Sequence, residues 1–138
     1  MLQKFTVKGF KNFESKIEFD LTSGNYSFNN SVVKNNILTT AVIYGDNASG
    51  KSNLGLAIMD IITHLTDNEK NSDDYKKHFL NLETMPEFAE FEYTFNFSNH
   101  IVKYNYSKRS YDEIVFEELF IDDELIIQYN KELSLIHI

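Results

Sequence analysis

The stretch Ile37-Leu38-Thr39-Thr40-Ala41-Val42-Ile43-Tyr44-Gly45-Asp46-Asn47-Ala48-Ser49-Gly50-Lys51-Ser52-Asn53-Leu54 decides how this chain reads. Its second half fits GxxxxGK[ST], the spacing of a phosphate-binding loop. Two glycines let the backbone curl until consecutive N–H groups face one anion. The helix that follows adds unpaired N–H groups and the positive end of its dipole. Lys51 then reaches the β- and γ-phosphates as a point charge, and the Ser52 hydroxyl ligates Mg²⁺. The context agrees. Ile37 to Tyr44 is a β-branched, mostly apolar run that breaks at Gly45, as a buried strand does. Beyond the loop, Leu54, Ala57, Ile58, Ile61, Ile62 and Leu65 recur at helical spacing up to about Thr66.

Composition bounds the remainder. The chain has 138 residues, enough for one domain with a real core, and is 42% hydrophobic and 14% aromatic, with 12 Phe and 8 Tyr. No apolar run approaches membrane-spanning length, and Met1-Leu2-Gln3-Lys4-Phe5-Thr6 lacks the apolar core of a signal peptide. The absence of cysteine excludes disulfides, thiol catalysis and zinc–thiolate sites, so the expectation is a soluble cytoplasmic protein with no membrane partner. A net charge of −8 argues against a general nucleic-acid surface. Lys4, Lys8, Lys11, Lys16 and Lys34 concentrate in residues 1–34 and read as a solvated face rather than a phosphate track.

Periodicity places the motif. Leu2 to Lys8 and Ser15 to Leu21 read as strands around a turn at Gly9 to Glu14, and residues 22–36 as a surface loop. Residues 67–87 are polar, with one short helix expected from Asp73 to Leu82 and a stop at Pro86. From Phe88 the period becomes two. Ala89, Phe91, Tyr93, Phe95 and Phe97, then Val102, Tyr104 and Tyr106, fall on one inward face and read as core rather than a base-stacking platform. Ile114 to Ile121 and Leu125 to Tyr129 continue the meander.

Several residues carry the resemblance to a known superfamily. Lys4-Phe5-Thr6-Val7-Lys8-Gly9-Phe10-Lys11-Asn12-Phe13, followed by Lys16-Ile17-Glu18-Phe19, resembles the opening hairpin of RecF/SMC-like ABC-type ATPase heads. Gly45 to Leu54, with Ala57-Ile58 one turn on, is similar to the GxNxxGKSNLxxAI form of that superfamily. The meander after the helix resembles the ABC-type ATPases related to OLD-family nucleases and other bacterial AAA family ATPases of phage defence. Gly9 stands where the hairpin commonly carries Asn. The resemblance implies an α/β P-loop NTPase fold: an antiparallel β lobe beside the first strand–loop–helix unit of an incomplete parallel core. It implies ATP and Mg as cofactors, with Gly45, Asp46, Asn47, Ala48, Ser49, Gly50, Lys51, Ser52 and Asn53 binding nucleotide and Ser52 the metal. It also implies a homodimer of heads and DNA maintenance or phage defence as the setting, with DNA bound through a part not represented here. Two other readings stay open: a non-hydrolysing interaction module, and the regulatory ATPase part of an OLD/Toprim-type nuclease.

Such heads also need a signature motif and an apolar strand ending Asp-Glu. Neither is found, so no catalytic residue is assigned. Asp122-Asp123-Glu124 reads as a hairpin turn, and Gln128 as a strand-end surface residue. His64, His78, His100 and His137 lack metal-ligand spacing; His64, four residues before Asn68, reads as a helix-surface or cap residue. Asp73-Asp74, Glu117-Glu118 and Asp122-Asp123 are sequence neighbours whose side chains diverge. Leu133-Ser134-Leu135-Ile136-His137-Ile138 is the in-frame translation of CTG TCT CTT ATA CAC ATC, which resembles a transposon end used in sequencing-library adapters. The expectation is that residues 1–132 are the N-terminal part of an ATPase head and 133–138 an adapter-derived tail, with a strand as the other reading of those six residues.

Overall fold

The computed structural model describes residues 1–24, 30–66, 73–133 and 135–138. β1 (Leu2–Lys8) and β2 (Ile17–Asp20) form the N-terminal hairpin. A short 3₁₀ turn (Asn30–Val32) leads into β3 (Val33–Lys34), which pairs with β4 (Ile37–Leu38). The 16-residue helix α1 (Lys51–Thr66) follows the phosphate-loop motif, and α2 (Asp73–Lys76) is a single turn of 4 residues. Then come β5 (Ala89–Phe97), β6 (His100–Lys108), β7 (Ile114–Ile121), β8 (Glu124–Asn130) and β9 (Leu135–His137). The main sheet has the order β2-β1-β5-β6-β7-β8-β9, and every pairing in it is antiparallel.

Register explains which side chains meet. Val7 lies opposite Phe91 and Phe5 opposite Tyr93, and these in turn face Tyr106 and Tyr104. One face of the sheet therefore collects Phe5, Val7, Ala89, Phe91, Tyr93 and Tyr106, all nearly inaccessible, and α1 packs on it through Ala57. The rings interlock, with Phe5 to Tyr93 at 4.8 Å and Phe91 to Tyr106 at 5.2 Å between centroids. Phe97 departs from the expected inward stripe. It sits at the strand end, 53% exposed, stacked on Phe95.

The opposite face is polar and charge-paired. Lys4 meets Glu18 at 2.7 Å, Lys16 meets Glu92 at 2.7 Å, and Lys8 meets Glu90 at 3.6 Å. Lys11 instead caps α2, donating to the Asp74 carbonyl at 2.6 Å and the Lys77 carbonyl at 3.0 Å. The N-terminal lysines are thus largely committed to carboxylates and carbonyls.

The main correction concerns Ile37 to Tyr44. Only Ile37–Leu38 is a strand, in a two-residue antiparallel pair, and Val42 and Tyr44 are 83% and 91% exposed. A buried parallel strand takes its burial from neighbours reached by crossover connections. Among the described residues no strand pairs in parallel, so residues 39–44 have no ladder to join. The expected parallel core is represented by α1 alone, and the antiparallel lobe dominates. Smaller differences follow the same logic of local support. The second strand starts at Ile17 rather than Ser15, and the helix expected from Asp73 to Leu82 stops at Lys76, with His78 at φ 50° beyond it. Of the loop at 22–36 residues 25–29, and of the polar segment at 67–87 residues 67–72, lie outside the described residues, as does Ser134 of the tail. The tail supplies β9, paired with β8 at the sheet edge, where any extended segment finds open backbone groups. Ile136 and Ile138 face solvent there. No helix among the described residues is long and apolar enough to cross a membrane.

Candidate functional site

The motif forms an open loop at the N-terminus of α1. The curl expected of the two glycines falls instead on Ala48 and Gly50, at φ 64° and 92°, while Gly45 stays outside the left-handed region. Ser49 N–H bonds back to the Asp46 carbonyl at 3.2 Å and closes the turn. The first helical bond runs from Leu54 N–H to the Gly50 carbonyl at 2.9 Å, which leaves the amides of Lys51, Ser52 and Asn53 outside the ladder. Lys51 folds back over the loop. Its Nζ donates to the carbonyls of Gly45 and Asp46, both at 2.6 Å, and reaches Ser49 Oγ at 3.4 Å. Gly45 to Ser49 and Ser52 are exposed, and Lys51 and Asn53 half-buried.

The N-terminal hairpin turn braces this loop. Asn53 Nδ2 donates to Asn12 Oδ1 at 2.7 Å, and a Cβ on Gly50 would run into the Asn12 amide. The turn is itself anchored: Lys11 N–H bonds to the Phe79 carbonyl at 3.0 Å, and Asn81 N–H to the Gly9 carbonyl at 2.9 Å. Gly9, at φ 73°, has the Phe88 carbonyl oxygen 2.9 Å from where a Cβ would stand. Glycine there is a packing requirement, and Asn12 is the turn residue that touches the loop. Beside it a cleft of about 410 Å³ is lined by Lys11, Asn12, Asn53, Lys77 and His78. Burial pulls Lys11 below the usual lysine range, although the Asp74 carboxylate acts against it.

The residues considered as catalytic acids lie elsewhere. Asp122 and Asp123, at φ 51° and 66°, form the β7–β8 turn. Asp122 pairs with His100 Nδ1 at 2.6 Å, an interaction that holds its carboxyl below the usual range, and Asp123 pairs with Lys103 at 2.5 Å. Strand register puts this turn beside the β5–β6 turn, at the opposite end of the sheet from Gly9 and the loop. Gln128 bonds to Glu118 at 2.9 Å on the face away from α1. Asp73 and Asp74 begin α2. Among the described residues no group of three or more His, Asp or Glu side chains is placed to hold a metal. Ser52 stands exposed at the start of α1.

Two features were missed. His64 is no surface cap; Asn68, its suggested neighbour, lies outside the described residues. The imidazole is 2% exposed and stacks on Tyr106 at 4.1 Å, with Nε2 2.7 Å from the Tyr104 hydroxyl. Tyr104 O–H donates to Glu117, so Nε2–H donates to Tyr104 and Nδ1 is left buried without a partner. The other is Asp60, fully buried on α1 and paired with Lys108 at 2.8 Å. The available signal was a single carboxylate at the spacing of Ala57 and His64, on the face turned to the sheet.

A curled loop with a lysine at a helix N-terminus, set beside an antiparallel sheet, has the form of a phosphate-binding loop. Residues 41–133 match the family described as "AAA domain, putative AbiEii toxin, Type IV TA system", and the chain belongs to that family. It is accordingly an AAA-family, nucleotide-binding, ATPase-like domain. No curated protein matches the chain.

Proposed function

We propose that this chain binds Mg-ATP through Gly45 to Asn53 as part of an ABC-type, RecF/SMC-like ATPase head. The observation that carries the reading is Lys51 Nζ at 2.6 Å from the Gly45 and Asp46 carbonyls, poised over the loop beside three helix-start amides without helical partners. Triphosphate entry replaces those two carbonyls with phosphate oxygens as the acceptors of the lysine, a charge-assisted exchange. Ser52 takes the metal. Asn53 lies toward the 410 Å³ cleft, which receives the nucleoside end. Bound Mg²⁺ would offset the charge of the phosphates.

Turnover in this reading belongs to a dimer of heads and to acids from a part of the parent protein not represented here. A head of this kind serves DNA maintenance or defence against phage, and the toxin–antitoxin term in the family description sits closer to defence. Titration of Mg-ATP into the chain and into Lys51→Ala tests the site. Loss of a charged hydrogen-bond donor is worth about 1.5–3 kcal/mol, roughly a ten- to hundredfold rise in Kd. Equal affinity of the two proteins would remove the assignment.

A further inference from the structure

Helix α1 carries a problem that its apolar residues do not solve. Leu54, Leu56, Ile58 and Ile61 pack toward the core, yet Met59, Ile62 and Leu65 are 54%, 46% and 62% exposed. A helix apolar nearly all round gains similar burial at several rotations, so hydrophobic packing alone specifies its orientation poorly. Polar contacts to the sheet break the tie: Ala57 and His64 each take one tyrosine hydroxyl, and Asp60, the buried carboxylate of the helix, gathers the most partners. Its carboxylate is 0% exposed and accepts from three directions: the Tyr75 hydroxyl on α2, the Tyr106 hydroxyl at 2.7 Å, and Lys108 Nζ at 2.8 Å, both on β6. Lys108 is 2% exposed, and Ala89 lies opposite it in the register. That small neighbour leaves room for the lysine to run under the helix.

A buried ion pair is not an efficient source of stability, because a packed apolar pair of similar volume often does as well. What the pair adds is uniqueness. Sliding α1 by one residue moves the carboxylate 1.5 Å and turns it about 100°, away from all its donors. The N-terminus of the same helix is the phosphate loop, about 13 Å along the axis from Asp60. Its rotation on the sheet therefore sets where Lys51 and the free amides point. We infer that Asp60, with Lys108 as its counter-charge, is a positioning residue that fixes the rotation of α1 and through it aims the phosphate loop. The consequence for nucleotide rests on the reading of the loop given above; the fixing of the helix does not.

The test uses the full chain with Asp60→Leu and Lys108→Met, separately and together, read by melting, amide hydrogen exchange and Mg-ATP titration. Asp60→Leu alone leaves a buried ammonium without a partner and melts far lower. The double variant is expected to melt near the parent chain while amides of residues 54–58 exchange at least tenfold faster, those of β5 and β6 are unchanged, and the Kd for Mg-ATP rises at least tenfold. A double variant whose α1 exchange stays within twofold of the parent overturns the inference, whatever its affinity. If helix exchange rises while Kd stays within twofold, the link to the loop is overturned. A parent chain that binds no Mg-ATP refutes the loop reading and the aiming role with it, and the exchange result then decides the helix pin by itself. Should the double variant not fold, Tyr75→Phe with Tyr106→Phe strips two donors and keeps the rings. An exchange rise of at least threefold in α1 supports the pin, and an unchanged rate overturns it.

Discussion

Residues 39–50 and the seam between α1 and the sheet adjoin one another in the chain and differ in nearly every physical respect. The first is largely exposed, bonded to Val32, to itself and to the first turn of α1, and written in a motif. The second is buried, cross-linked by hydroxyls, a carboxylate, an ammonium and an imidazole, and matches no motif. Tyr93 O–H of β5 donates to the Ala57 carbonyl at 2.8 Å, and His64 and Asp60 both bond to β6, through Tyr104 and Lys108. The contrast separates two kinds of demand. The loop leaves the first amides of α1 outside the helical ladder, whereas the helix that carries it is held from behind.

That contrast can be broken by measurement. The largest effect is expected at Phe91, which is 0% exposed with rings of Phe10 and Tyr106 at 5.4 and 5.2 Å. Phe91→Ala should lose about 3–5 kcal/mol in urea denaturation; a loss under about 1 kcal/mol would mean the seam is far looser than it looks. An intermediate effect is expected from acid. His64, with Nε2 3.6 Å from Glu117, and then the Tyr104 hydroxyl hold the Glu117 carboxyl below the usual range. A carboxyl depressed in the folded state stabilises above its unfolded value of about 4.3, and that stabilisation is lost as pH falls through the folded value. Glu117→Gln should therefore melt below the parent chain at pH 7, with the gap closing by pH 3. A gap that stays constant would deny the coupling. The smallest effect belongs to Val42→Ser, at 83% exposure, which should shift stability by no more than about 0.5 kcal/mol. A drop of several degrees in Tm would show that residues 39–44 are held by more than their own backbone.

Sequence patterns disclosed much of this molecule where a short-range rule operates. The period of two from Ala89 located β5 and β6, the alternations at Ile114 and Leu125 located β7 and β8, and helical spacing carried α1 to Thr66. The loop residues were readable because GxxxxGK[ST] encodes a local backbone path. What failed depends on distant partners. Ile37 to Tyr44 has the composition of a buried strand, but a strand exists only with a neighbour to bond. Lys108 looks like a polar strand end until register sets it against Ala89 and beneath Asp60. His64 looks like a helix-end residue until Tyr104 and Tyr106 arrive from 40 or more residues away. Such pairings are properties of the assembled sheet, and no window along the chain contains them.

The strand order also has a consequence for how the chain reaches this state. β1 lies beside β5, so Lys4 must find Thr94, 90 positions further along the chain, with the whole phosphate-loop segment looped out between them. The meander from β5 to β8 closes through short turns and can form early, whereas β1 joins it only after a long loop closure. During synthesis the N-terminal hairpin emerges first and waits, with Phe5 and Val7 unprotected, until residue 97 has left the ribosome. The segment that carries the loop is thus tethered at both ends once β1 pairs with β5.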